Sequence, residues 1–165
     1  MDLVVEAACR AQWGARQMRC ALGRAGVAHD KREGDGATPA GIMAMRRVLY
    51  RPDREAHPAT ALPASALDPA DGWCDAPDDA AYNRMVRLPH RASAEVLWRE
   101  DRLYDLVVVL GWNDAPVMAR HGSAIFLHIA RDDYGPTEGC VALARTDLLA
   151  VLAGAEASSR VVVAG

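Results

Sequence analysis

Lysine is all but missing from this chain: Lys31 is the only one, and arginine supplies the rest of its 19 basic residues. Against 22 acidic residues the formal net charge is −3, so the basic footprint of a nucleic-acid-binding surface is absent. No apolar stretch approaches the ~18 residues of a membrane span. Residues 1–9 lack both a basic start and the apolar run of ~7–15 residues that a secretory signal needs, and Glu6 spoils a lipoprotein-like reading of Ala7-Ala8-Cys9. Cys9, Cys20, Cys74 and Cys140 contain no C-x-x-C pair, which removes the common zinc and redox-dithiol patterns. Four cysteines in 165 residues are also too few for a disulfide-stapled scaffold, though one disulfide is conceivable in an oxidising compartment. No glycine fingerprint follows a strand and opens a helix, so a Rossmann fold is excluded, and neither repeats nor heptads occur.

With 51% hydrophobic and 25% charged residues, the chain has the composition of a folded domain, and its 165 residues suit a single one spanning 1–165. Leu3-Val4-Val5 and Gln17–Leu22 read as two short strands separated by a break at Trp13-Gly14. Glycines from Gly23 to Gly41 punctuate a polar loop, and Ile42–Tyr50 reads as a strand ending at Arg51-Pro52. Most of the nine prolines fall between Pro52 and Pro89, predicting an irregular surface excursion with one helical turn near Asp79–Met85. Leu103–Leu110 and Ser123–Ala130 are continuous apolar runs of the kind that form buried strands. Thr146 is placed to cap a helix through Asp147–Leu152 closed by Gly154, and Arg160–Val163 returns as a terminal strand. The class is mainly β, with one or two short helices.

Two residues are candidates for chemistry. His128 ends a buried-looking strand, and Cys140 follows Gly139 twelve positions later. A thiol with pKa ~8.5 is mostly protonated at neutral pH, so a cysteine nucleophile needs a neighbouring base, and imidazole is the usual one. Gly139 permits a sharp turn that would aim the N–H groups of Gly139 and Cys140 at a developing oxyanion. By themselves these residue types favour a buried free cysteine and a histidine satisfied by its neighbours.

Gly122-Ser123-Ala124-Ile125-Phe126-Leu127-His128, followed by Pro136-Thr137-Glu138-Gly139-Cys140-Val141-Ala142-Leu143, resembles the catalytic core of the L,D-transpeptidase (YkuD-domain) family. Gly34-Asp35-Gly36-Ala37-Thr38-Pro39-Ala40-Gly41 is similar to that family's amino-terminal G-D-x-x-T-P-x-G segment, and the order is the same. The resemblance covers roughly Cys20 to Val163. It implies a β-sandwich-like bacterial domain that acts on peptidoglycan stem peptides in the cell envelope, without metal or organic cofactor. It further implies a Cys140 nucleophile that forms a thioester, His128 as its base, Gly139 and Cys140 N–H groups as oxyanion donors, and acylation by carbapenems. A monomer is expected. The chain departs from the common S-H-G-C-I-R signature: Glu138 replaces the histidine and Ala142 the arginine, leaving Arg131 or Arg145 as the substituting cation.

Other candidates are secondary. Thr137 keeps the hydroxyl of the signature and, with Arg131, is a candidate substrate contact. His121 is a rival base or substrate contact, or a loop histidine. Asn113 and Asp114 would orient imidazole or bind an amide, or form a turn. Trp73, Tyr82 and Asn83 read as anchors of the long excursion or as the lining of a groove for an extended peptide, and Thr38-Pro39 as a hairpin turn. A metal site among His121, His128, Asp132 and Asp133 lacks recognised ligand spacing.

Overall fold

A computed structural model describes residues 1–165. In chain order the elements are β1 (Asp2–Glu6), β2 (Arg10–Trp13), β3 (Arg16–Ala21), β4 (Val27–Ala28), β5 (Thr38–Pro39), β6 (Gly41–Tyr50) and β7 (Ala64–Ala66). There follow β8 (Asp71–Cys74), β9 (Met85–Arg87), β10 (Ala94–Val96), β11 (Leu106–Leu110), β12 (Phe126–Ile129), β13 (Val141–Leu143), α1 (Arg145–Gly154) and β14 (Arg160–Ala164).

The main sheet runs β11-β12-β13-β3-β2-β1-β14-β6, and β6 pairs back onto β11, so the strands close on themselves. Two strands make the closure possible by serving both walls. The first part of β3 pairs with β2, and its end, Cys20 and Ala21, pairs with β13. Likewise β6 pairs with β14 over Gly41–Ala44 and with β11 over Met45–Tyr50, the β11 ladder shifting register between Val109 and Leu110. The result is a β-sandwich whose two sheets are joined at both edges, which leaves few unpaired edge groups. β7 extends β6 as a ninth, parallel strand.

Alternation along the strands sorts side chains into two apolar layers. Leu3, Val5, Met43, Met45, Leu127, Ile129, Val141 and Leu143 fill the interior, joined by Leu148, Val151 and Leu152 from one edge of α1. Each such side chain, fully buried, stabilises the fold by about 1.5–3 kcal/mol relative to exposure. The outward face of the same strands carries Leu49, Val107, Val109, Phe126 and Cys140, covered by Trp73, Leu97 and Tyr104. This explains the unbroken apolar run of β11, which is buried on both faces.

The covering layer is the proline-rich excursion. Instead of coil with one helical turn it holds a three-stranded sheet, β10-β8-β9, and residues 79–84 form non-helical turns. Its strands of three or four residues, separated by turns that carry Pro77 and Pro89, show too little alternation to be read from sequence. The anchoring expectation holds: Trp73, Tyr82 and Asn83 are buried, and Trp73 packs edge-on against Phe126 with ring centroids 5.1 Å apart.

Other boundaries differ from expectation. The amino-terminal segment makes three strands, because β2 folds back on β1 and again into β3 through Gly14 at φ +57°. β12 begins at Phe126 rather than Ser123, since Ala124 adopts φ +53° and breaks the extended run. β11 begins at Leu106. The helix is capped at Ala144 without a side-chain hydrogen bond; Thr146 lies inside it, and Asp147 in its first turn pairs with Arg16 at 2.6 Å. Thr38-Pro39 is no hairpin turn but a two-residue strand bridged in parallel to β4.

Candidate active site

β12 and β13 run parallel, with Leu127 opposite Val141 and His128 opposite Ala142. One step back along this register, Cys140 faces Phe126. Residues two apart in a strand share a face. Cys140 and His128 therefore stand on the same face of the sheet, one diagonal apart, and both line a single cavity of 360 Å³ beneath the covering layer.

The turn that delivers Cys140 is closely specified. Gly139 sits at φ +140°, and a Cβ there would lie 2.9 Å from the Ala37 carbonyl oxygen, so a side chain is excluded by both backbone and space. The Cys140 carbonyl accepts hydrogen bonds from Thr137 Oγ1 at 2.7 Å and from Thr38 Oγ1 at 3.3 Å. The two family-like segments thus meet at the cysteine. Its thiol donates to the Ala124 carbonyl at 3.2 Å, and the Phe126 N–H points at Sγ from 3.3 Å. The left-handed backbone of Ala124, costing ~1–3 kcal/mol for a non-glycine residue, is held by the Asn83 side chain, whose Oδ1 accepts the Ala124 N–H at 3.1 Å.

His128 has its own fixed geometry. Nδ1 lies 2.9 Å from the Ile129 carbonyl oxygen, which can only accept, so the proton is assigned to Nδ1 and Nε2 carries the lone pair. This carbonyl is the orienting partner that no sequence pattern announced. The Tyr104 ring meets the imidazole edge-on, centroids 5.2 Å apart, and the Tyr104 hydroxyl donates to the Glu95 carboxylate.

Burial sets the charge state of the pair. Cys140 is 7% exposed, and desolvation, helped by the Glu95 charge, pushes its thiol up to about 12. His128 is 5% exposed, and desolvation pushes its imidazole down to about 4. At neutral pH the resting pair is a thiol and a neutral imidazole, not an ion pair. Burial likewise raises the Glu95 carboxyl and the Tyr104 hydroxyl above their ordinary ranges.

The remaining candidates divide. Arg131 stands exposed at the cavity wall. Arg145 is committed elsewhere, in a two-pronged contact with Glu55 at 2.7 and 2.6 Å. Thr137 lines the cavity, but its hydroxyl is occupied by the Cys140 carbonyl and by the Gly139 N–H at 3.1 Å, so it holds the turn rather than a substrate. The same contact turns the Gly139 N–H away from the expected oxyanion position, leaving the Cys140 N–H, which has no partner within the chain. Asn113 and His121 do not reach the cavity. The Asn113 side chain stitches its own loop, bonding Met118 and Gly122, and the His121 carbonyl accepts the Trp112 indole N–H. Glu138 points to Arg24, 3.0 Å away.

Sequence reasoning missed Lys31, Glu33, Asp75, Glu95 and Tyr104, all in the cavity lining. The solitary lysine is buried there, donating to the Asp35 carboxylate and the Arg32 carbonyl. Glu33 receives the hydroxyls of Tyr82 at 2.5 Å and Ser123 at 2.8 Å. The one signal for Glu95 was a carboxylate inside an otherwise apolar Ala-Glu-Val-Leu segment.

Closed sheets carrying a cysteine–histidine pair on their outer face, under a loop-built cover, define a β-domain with a thiol–imidazole centre. The chain matches the YkuD family, the L,D-transpeptidase catalytic domain, over residues 4–163, and belongs to it. No curated protein matches the chain. No helix is long and apolar enough to cross a membrane.

Proposed function

We propose that this domain transfers acyl groups on peptidoglycan stem peptides, with Cys140 as nucleophile and His128 as general base. One observation carries the reading: Cys140 and a histidine whose Nδ1 is tied to a backbone carbonyl share one face and one cavity. In the first step Nε2 of His128 takes the thiol proton as Sγ bonds to the amide carbon at the L-centre of a diamino acid. The Cys140 N–H is free to donate to the oxyanion. Collapse breaks the C–N bond, His128 returns the proton to the departing D-alanine amine, and a thioester remains. The amine of a second stem then attacks the thioester, losing its proton to His128 and freeing the Cys140 thiol.

Arg131 at the wall supplies a cation for a substrate carboxylate, taking the place of the arginine that Ala142 replaces. Ala142 itself lines the cavity. With no cation at that position the acceptor side is open to water, which favours a second reading: hydrolysis of the same thioester, as a carboxypeptidase or amidase. A non-catalytic wall-peptide module has less support, because nothing in binding alone requires the fixed imidazole tautomer. The family places such domains at the cell envelope, and we assign this one there, as a monomer.

Intact-protein mass spectrometry after incubation with a carbapenem tests the reading. A stoichiometric adduct on the wild type and none on Cys140→Ala is expected, followed by loss of D-alanine from stem tetrapeptides. An equal adduct on both proteins removes Cys140 from the chemistry.

A further inference from the structure

Away from the cavity pair, the covering layer brings a second set of nucleophilic and ligating atoms together. Cys74 ends β8, Asp79 lies in the turn that follows, and His90 precedes β10. Their Sγ, carboxylate oxygen and ring nitrogen all lie within 4.8 Å of one another. Cys74 is 0% exposed, and the side chains of Asp79 and His90 are 7% and 16% exposed. Nε2 of His90 is buried without any hydrogen bond; its nearest charged neighbour is Asp79 Oδ1 at 3.5 Å. Buried polar atoms are almost always hydrogen-bonded, and a buried ring nitrogen without a partner is available to an ion or a water.

We infer that Cys74, Asp79 and His90 form a binding site for a divalent cation of zinc type. The donor set of one sulfur, one imidazole nitrogen and one carboxylate oxygen is that of a borderline-soft ion and does not suit magnesium or calcium, which take oxygen. Ligands at ~2.0–2.3 Å from zinc lie roughly 3.3–3.8 Å from one another in a tetrahedron, so side-chain shifts of about 1 Å close the set, with water in the fourth position. Binding replaces the Cys74 S–H bond by a metal–sulfur bond and releases one proton to solvent. Arg91 already orients Asp79 from outside, donating to Oδ2 at 2.8 Å, while Oδ1 accepts the Ala81 N–H at 2.8 Å.

The position gives the ion a role. Cys74 pairs with Ala94, and their chain neighbours Asp75 and Glu95 line the cavity that holds Cys140. An ion at Cys74 pins β8 to the loop before β10 and fixes the wall bearing these two carboxylates. The inference is independent of the role assigned to Cys140.

The test uses the full chain, stripped with chelator and titrated with zinc or with cobalt(II) as a spectroscopic probe. One equivalent of zinc retained through desalting, and a cobalt–thiolate charge-transfer band present in Cys140→Ala but absent in Cys74→Ser, are expected. Because Cys74 is fully buried and its replacement endangers folding, His90→Gln serves as the second variant. Its zinc affinity should fall by more than the roughly 10–100-fold that loss of an outer-shell partner causes. Sub-stoichiometric zinc on the wild type, a charge-transfer band that survives Cys74→Ser, or unchanged affinity in folded His90→Gln overturns the site.

Discussion

The Thr38 hydroxyl donates to the Cys140 carbonyl at 3.3 Å while accepting the Gly23 N–H at 2.8 Å. Thr38 is 0% exposed, so this single side chain joins three separate segments without help from water. It fixes the backbone of the turn that presents the thiol, and it does so together with Ala37, whose carbonyl oxygen crowds Gly139. The amino-terminal segment resembling the family pattern is therefore a brace for the cysteine turn.

Thr38→Val keeps the shape and removes both bonds. The buried Gly23 N–H loses its acceptor, while the Cys140 carbonyl keeps Thr137. The expected cost is about 1–3 kcal/mol, the desolvation penalty of an unsatisfied buried group. Urea denaturation of the folded variant measures it, and a slower carbapenem acylation rate should accompany it. Full stability in Thr38→Val would show that the brace is dispensable.

His128 should leave a signature in the pH dependence of stability. Its imidazole titrates near 6.5 in the unfolded chain and is pushed down to about 4 by burial in the folded one. Below pH 6.5 the unfolded chain takes up a proton that the folded chain refuses. The associated stability is complete above pH 6.5, falls as pH drops toward 4, and then levels off. Its size is about 3 kcal/mol for a shift of this extent. Denaturation of the wild type and His128→Gln at pH 7 and pH 4 isolates this contribution, since other acid-sensitive groups are common to both. An identical loss in the two proteins contradicts a buried neutral imidazole.

Much of this centre was legible before the fold. The apolar runs of β11 and β12 gave the strands because that signal is local, whereas His128 and Cys140 stood out as a functional pair only through the resemblance of Gly122–His128 and Pro136–Leu143 to the family pattern. What escaped was tertiary or backbone in origin. The partner of His128 is a main-chain carbonyl, which any residue at position 129 would supply. Glu95 arrives from a covering layer whose strands are too short for periodicity, and Tyr104 from the turn that precedes β11, where the apolar run had suggested strand. Asn113 and His121 looked like site residues because they flank core strands, yet their loop closes on itself through the Asn113 amide.

That placement separates the two histidines experimentally. His121 lies outside the cavity, so His121→Ala should acylate at a rate close to wild type. His128→Ala should lose about two to four orders of magnitude, the usual contribution of a positioned general base. Single-turnover acylation followed by mass spectrometry gives both numbers. The reverse pattern would reassign the base.

Glu95 makes a prediction that only an electrostatic role satisfies. Its carboxylate lies close enough to Cys140 to oppose ionisation of the thiol, and Tyr104 holds it in place through the hydroxyl contact. Glu95→Gln removes the charge and keeps the shape and the hydrogen-bonding capacity. The pH at which Cys140 becomes reactive to a small alkylating agent should therefore move down, with several-fold faster labelling at mildly alkaline pH. Tyr104→Phe leaves the charge in place, so it should not reproduce that shift even if it lowers stability. Exposed Cys9 serves as an internal reference, labelling at the same rate in every variant. Site-resolved mass spectrometry across a pH series reads both cysteines in one sample. If Cys140 labels identically in wild type and Glu95→Gln, desolvation alone sets the thiol, and Glu95 is part of the wall rather than of the electrostatics.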